Sequence, residues 1–140
     1  MQLLRPPNLF TVPGDPLAGY LLANRGFLGP GVAWACAASL LLYSAGLALN
    51  DLADEAEDRR ERPSRPVPSG AVPKGGAWAL AIVLALGGLA AAWLTGSPAS
   101  LVIGVALLAV VALYDFLLKR WAIPGSIAMG LCRTLSVLVG

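Results

Sequence analysis

From Gly75 to Tyr114 the chain carries no charged residue, and from Val32 to Leu49 it carries none either. Stretches this long and this apolar restrict the possible folds severely. A helix that crosses a bilayer needs about 20 mostly apolar residues. Lipid offers the backbone no hydrogen-bonding partner, so such stretches must satisfy their own polar groups as helices. The composition points the same way. The chain is 57% hydrophobic and 13% charged, with a mean hydropathy of +0.72, whereas soluble domains carry roughly 25% charged residues. The expected class is an all-α transmembrane helical bundle, integral to the lipid bilayer and multi-pass.

Five spans are expected, at about residues 5–24, 32–58, 75–95, 99–115 and 121–140. The first contains Pro13-Gly14-Asp15-Pro16, which predicts a broken or kinked helix supported by its neighbours. The second runs from Val32 into Asn50 with no Gly or Pro at the junction, so its helix is expected to continue through Asp58. It is rich in Ala, Ser and Gly, which favour close helix packing. Thr95-Gly96-Ser97-Pro98 predicts a tight turn. Arg133 falls in the middle of the last span. An intramembrane Arg is a functional residue by default; the alternatives are pairing with Asp15 or Asp115, or snorkelling to an interface. Cys36 and Cys132 each lie alone in apolar segments and read as small buried hydrophobes. Tyr43 and the four tryptophans read as packing or interfacial residues. The opening MQLLRPPNLF does not read as a signal peptide, because Pro-Pro breaks the apolar run and no small-residue cleavage site follows.

One dense polar island divides these spans. Asn50–Gly70 reads NDLADEAEDRRERPSRPVPSG and holds six of the eight acidic residues, Asp51, Asp54, Glu55, Glu57, Asp58 and Glu61. With the bases up to Lys74 it forms the loop 50–74. Placing the N-terminus in the cytoplasm puts Arg5, Arg59, Arg60, Arg62, Arg65, Lys74, Lys119 and Arg120 inside and only Arg25 outside. Basic residues favour the cytoplasmic side of short loops, so both polar loops are expected to be cytoplasmic, in a bacterial inner membrane. The net charge of +2 is small and mixed in sign, which argues against a nucleic-acid partner.

Helical rotation of about 100° per residue arranges the first part of the island. With Asn50 at zero, Asp54 falls near 40°, Asp58 near 80° and Asp51 near 100°, all on one face. Glu55 and Glu57 point elsewhere. Carboxylates gathered at the end of a membrane helix repel one another and require cationic compensation. The nearby arginines can supply it, and so can Mg²⁺. The chain has no His, and oxygen donors suit a hard cation. The plainer reading is a solvated, mixed-charge loop that anchors topology. The four-residue recurrence of Asn and Asp, followed by a Pro-rich basic segment, argues against it.

Those residues carry a family resemblance. NDxxDxxxD (Asn50, Asp51, Asp54, Asp58) followed by RPxRPxPSG (Arg62 to Gly70) resembles the first aspartate-rich motif of UbiA-type intramembrane prenyltransferases. RPPN (Arg5 to Asn8) and PGDPLAGYLLA (Pro13 to Ala23) resemble that family's first helix. LYDFLLKR (Leu113 to Arg120) resembles its basic loop, and GLCRTLSVLVG (Gly130 to Gly140) resembles an EboC-like branch. The resemblance implies a bundle of nine transmembrane helices, with residues 1–140 forming its N-terminal half, about five of the nine spans. It implies transfer of a prenyl group from a prenyl diphosphate to an acceptor, unknown here, with Mg²⁺ as cofactor. On that basis Asn50, Asp51, Asp54 and Asp58 are the expected metal-site residues. Arg62, Arg65, Lys119, Arg120 and Tyr114 are the expected diphosphate-binding residues, and Asp54, Asp58 and Arg120 the expected catalytic ones. The family uses two aspartate motifs and these residues hold one, so they are expected to be part of a longer protein; the alternatives are a complementary C-terminal half that assembles as a partner, or lost catalysis. The rival reading is a non-catalytic membrane protein that binds or transports an isoprenoid or other lipid. CDP-alcohol phosphotransferases are less similar, since their motif begins DGxxAR and has an interior Gly. Soluble isoprenyl synthases use DDxxD but lack this hydropathy.

Overall fold

The computed structural model describes residues 12–26, 29–118 and 122–140, and among them the chain is all helix with no strand. In chain order these are α1 (Gly14–Ala23), α2 (Gly31–Ala53), α3 (Glu55–Glu61), α4 (Lys74–Leu94), α5 (Pro98–Leu113), a π-helical turn (Tyr114–Leu118) and α6 (Ala122–Val139). Three of them, Gly31–Ala53, Lys74–Leu94 and the continuous Pro98–Leu118, are long and apolar enough to cross a membrane, with mean hydropathies of 1.8, 2.1 and 2.6. Large apolar side chains such as Ile82, Val83, Leu86, Val102 and Ile127 are exposed, as lipid-facing side chains must be.

α2 is the centre. It packs against α1, α4, α5 and α6. Its buried residues Ala35, Ala38, Leu42, Ala45, Ala48 and Leu52 recur at three- and four-residue steps and form a seam of mostly small side chains. α4 answers with Ala77, Ala81, Gly88, Ala91 and Ala92. At Gly88 the two backbones come so close that an added Cβ would stand 2.7 Å from both Leu42 Cγ and Leu42 Cδ2, and 3.1 Å from Leu42 N. Small residues do here what hydrophobic burial does in water: they maximise dispersion contact between backbones.

Buried hydroxyls join the remaining helices. Ser39 and Ser136 Oγ atoms lie 2.8 Å apart across α2 and α6. Ser100 on α5 donates to the Val139 carbonyl at 3.0 Å. The α4–α5 hairpin turns on Gly96 at φ +85°. Thr95 Oγ1 donates to the Ala92 carbonyl and accepts from the Ser97 N–H, and Pro98 opens α5, where its missing N–H costs nothing.

The structure refines the expected helices, and two of them differ from expectation. Within the first span, expected over 5–24, α1 begins at Gly14, with Pro13 as the capping position and Asp15 in the first turn. A first-turn Pro needs no donor, and an acidic residue suits the positive end of the helix dipole. The helix expected over 32–58 is divided at Asp54 (φ −88°, ψ −3°) and resumes as α3. The span expected to 115 gives way to π-helical geometry at Tyr114. Residues 5–11 of the expected first span lie outside the described residues.

Candidate functional site

The acidic motif lies at the C-terminal end of α2 and through α3. Asp54 interrupts the regular dihedrals but not the hydrogen-bond ladder. Its N–H donates to the Asn50 carbonyl at 2.9 Å, Asp58 donates to Asp54 at 2.8 Å, and Arg62 donates to Asp58 at 2.8 Å. The three four-residue steps of the motif are therefore joined through the backbone. At Arg62 (φ −141°, ψ 61°) the helix ends, one residue before Pro63, as the steric demand of proline requires.

The segment that follows folds back onto the helix it left. Turn bonds run from Ser69 N–H to the Arg65 carbonyl and from Val72 N–H to the Pro66 carbonyl, both 2.9 Å. Gly70 supplies a left-handed φ of +78°. The anchor is Val67, which is buried in a cluster with Leu52 of α2 and Ala77 of α4, covered by Val72. Docking of Val67 delivers Arg65 to the motif. Arg65 Nη1 lies 2.7 Å from Asp58 Oδ2 and 3.5 Å from Asp51 Oδ1. The Asp58 side chain is only 5% exposed, so this cation compensates a carboxylate withdrawn from water.

A second clamp secures the same loop. Glu55 receives Lys74 Nζ at 2.5 Å from the start of α4 and Arg59 Nη2 at 2.8 Å from its own helix. Lys74 first and Arg59 second hold the Glu55 carboxyl below its ordinary range. The rotational reading pointed Glu55 away from the motif face, and its role as the clamp was not expected; Lys74, the first base after the prolines, was the available signal.

The expected site residues are thus brought together in part. Asp51 and Asp58 share Arg65, which binds carboxylates here. Arg62 is exposed at the helix end. Tyr114 begins the π-helical turn that packs beside α2, and Trp78 of α4 stacks on Phe116 of that turn, centroids 6.2 Å apart. The same turn buries Asp115 to 3% exposure, and π-helical turns often mark functional positions. Asp115 was not among the expected site residues, although it is the only acid after Glu61. Lys119 and Arg120 lie outside the described residues. Among the described residues no three acidic or thiol groups converge on a single cation position. Asn50, Asp51, Asp54 and Asp58 carry oxygen donors, the kind Mg²⁺ accepts from one or two protein groups when water and phosphate complete its shell.

Directly along α2 from the motif is a cavity of about 490 Å³. Leu42, Leu107 and Val111 give it apolar walls. Ser39 and Tyr43 also line it and share the α2 face with Asn50 and Asp54, within about 60° of rotation. Tyr43 stands about 10 Å along the helix axis from Asn50. The opposite wall carries Arg133, whose Nη2 donates to Asp15 Oδ1 at 3.3 Å. Of the three sequence alternatives for Arg133, the structure has it paired with Asp15.

A bundle of apolar helices with an acidic, arginine-closed motif at one helix end and a separate cavity farther along the same helix defines an integral, multi-pass membrane protein. The chain belongs to the UbiA prenyltransferase family, which matches residues 16–140. It is 33% identical over 129 residues to a digeranylgeranylglyceryl phosphate synthase of Methanoculleus marisnigri, covering 92% of this chain and 46% of that protein. It is 36% identical over 138 residues to the synthase of that name from Methanoregula boonei, covering 99% and 49%. A solved structure described as giving insights into the biosynthesis of digeranylgeranylglyceryl phosphate synthase in membranes superposes with a TM-score of 0.90 at 25% identity, over 98% of this chain and 49% of that one. The chain spans about half the length of these relatives. They are archaeal, which gives no support to the expected bacterial membrane.

Proposed function

We propose that this chain supplies the first aspartate motif of a Mg²⁺-dependent prenyltransferase, which moves a prenyl group from a prenyl diphosphate to an acceptor within the membrane. Residues 1–140 form the N-terminal half of a UbiA-like domain with five of nine spans, and a complementary C-terminal half supplies the second motif. The observation that carries the reading is the motif itself: Asn50, Asp54 and Asp58 linked step by step at the end of a membrane helix, in a chain of this family. Relatives named for synthesis of digeranylgeranylglyceryl phosphate support prenyl transfer as the reaction class.

Asn50, Asp54 and Asp58 would hold Mg²⁺, with Asp51 supporting them. The metal, when bound, supplies electrostatic stabilisation to the diphosphate as it departs. The chain's own cations add to this. Arg62 and Arg65, with Lys119 and Arg120, would meet phosphate oxygens, for which the guanidinium fork is suited. Tyr114 stands at the head of the second loop. The apolar cavity walls hold the isoprenoid and exclude water from the allylic carbon as its C–O bond breaks. The excess of basic residues in these loops supports a cytoplasmic location for the site.

The test uses membranes containing the full-length protein, labelled prenyl diphosphate and Mg²⁺. Transfer should require the metal and disappear in the Asp54→Ala, Asp58→Ala double variant. Transfer that persists in the double variant removes the proposed metal role. Isoprenoid binding without transfer by the full-length protein would establish the rival reading instead.

A further inference from the structure

Two residues with different proposed ligands hold one another. Asp58 belongs to the proposed metal site and Arg65 to the proposed diphosphate site, yet Arg65 Nη1 lies 2.7 Å from Asp58 Oδ2 and 3.5 Å from Asp51 Oδ1. One protein cation thus spans two of the four motif residues. A metal ion brought to the same oxygens would stand beside the guanidinium, and like charges that close repel strongly at the dielectric of a protein interior. The Asp58 side chain is 5% exposed and that of Arg65 23%, so the acid is the inner partner and the arginine the outer one. The backbone carrying Arg65 is fixed. Its N–H donates to the Arg62 carbonyl at 3.1 Å, its carbonyl accepts from the Ser69 N–H at 2.9 Å, and Val67 is buried in its cluster. The side chain is the part that can move, by a change of rotamer about an anchored Cα. The same turn bond keeps Arg62, exposed at the end of α3, close by.

We propose that Arg65 is an exchangeable cation: its guanidinium holds Asp58 and Asp51 until phosphate oxygens draw it off, so the motif takes magnesium and diphosphate together and takes the bare ion poorly. The proposal rests on the metal-dependent reading above and adds to it a rule of joint binding. Charge balances on both sides of the exchange. With Arg65 on the carboxylates, a protein cation compensates the acids. With Arg65 on phosphate, the metal compensates the acids and the diphosphate compensates the guanidinium. Neither a withdrawn carboxylate nor its arginine is left alone, which is the costly state for such a pair. Bare metal reaches no such balance, because it evicts Arg65 with no anion to receive it. Both carboxylate contacts run through one nitrogen, whereas phosphate can engage the planar fork through two. Each ligand must then raise the affinity of the other by the same factor.

Mn²⁺, followed by electron paramagnetic resonance in place of Mg²⁺, tests this in purified full-length protein without turnover. With no diphosphate present, Arg65→Gln should tighten Mn²⁺ binding roughly tenfold or more, by removing the like charge. Arg65→Lys, which keeps a point charge, should leave binding weak. Arg62→Gln removes the same charge but not the contact, and should change binding by less than about twofold because exposed charges are screened. Equal tightening by Arg62→Gln and Arg65→Gln would show bulk charge only and overturn the proposal. Unchanged or weaker binding in Arg65→Gln would overturn it too. Binding that is lost in the Asp54→Ala, Asp58→Ala double variant but unmoved by Arg65→Gln would keep the metal site and remove the exchange. No Mn²⁺ binding by either wild type or Arg65→Gln would remove both. A second measurement needs only the wild-type protein, so misfolding of a variant cannot obscure it. Modification of Arg65 by phenylglyoxal is followed by peptide mass spectrometry. At constant ionic strength, which fixes the screening, saturating Mg²⁺ alone should speed modification of Arg65 roughly threefold or more. Adding inorganic diphosphate should reverse the gain, as the guanidinium passes to phosphate. An Arg65 rate indifferent to Mg²⁺ would overturn the exchange.

Discussion

Arg65 is the residue on which the motif's electrostatics turn. Its guanidinium meets Asp58 at 2.7 Å and Asp51 at 3.5 Å, and both acids are mostly withdrawn from water. Exposed ion pairs contribute about 0–1 kcal/mol, but removing one partner of a buried pair leaves an uncompensated charge and costs about 3–5 kcal/mol. With Arg65 itself 23% exposed, Arg65→Ala should cost about 2–3 kcal/mol, somewhat below that range because water screens the pair, read as a lower midpoint of thermal unfolding in detergent. Glu55 makes a different prediction. Its pKa is lowered from 4.5, by Lys74 above all. The stability it contributes is therefore complete above the ordinary carboxylate range and is lost as pH falls through the depressed folded value. Glu55→Gln should flatten the loss of thermal stability measured between about pH 5 and pH 3. The sequence could say that arginines or a metal must compensate the acidic face. It could not say which arginine, because Arg65 reaches Asp51 and Asp58 only after the chain has turned over Val67, and no helical rotation contains that turn.

At the scale of elements, close approach governs α2 and α4. Gly88→Ala would drive a Cβ into Leu42, which is 1% exposed and has nowhere to go. The expected cost is about 1–3 kcal/mol, seen as reduced thermal stability with no change in membrane insertion. Val67 tests the loop. Val67→Ala removes two methyl groups from the cluster with Leu52 and Ala77, which should cost about 1–2 kcal/mol and, in the prenyl transfer proposed above, raise the KM for the diphosphate, because the arginine loop loses its seat. The long apolar stretches were legible because lipid leaves a helix as their only solution. The proline positions were legible as helix punctuation: Pro13–Pro16 stand at the start of α1 and Pro98 at that of α5. The break at Asp54 had no sequence signal, since every residue from Ala53 to Glu61 tolerates a helix.

At the scale of the whole molecule, α4 sets the topology. If it spans the bilayer, the loops at its two ends face opposite sides. In full-length protein in sealed membranes, Ser69→Cys and Ser97→Cys should react with a membrane-impermeant maleimide from opposite sides, Ser69→Cys from the cytoplasmic one. Labelling of both from one side would remove α4 as a span. The feature with the longest reach is the Leu52–Val67–Ala77 cluster. Its members are near neighbours in sequence, and so are Glu55 and Lys74. The cavity instead joins Asp15 to Arg133, 118 positions apart. Contacts between near neighbours close sooner than distant ones, and a chain emerging from the ribosome meets them first. The acidic end should therefore be assembled as soon as the start of α4 is in place, while the cavity waits for α6. Nascent chains arrested after α4 should already shield a Val67→Cys thiol, whereas one placed at Ser39 should gain shielding only when Val139 has been inserted. The protein thus acquires its charged mouth before it has an interior.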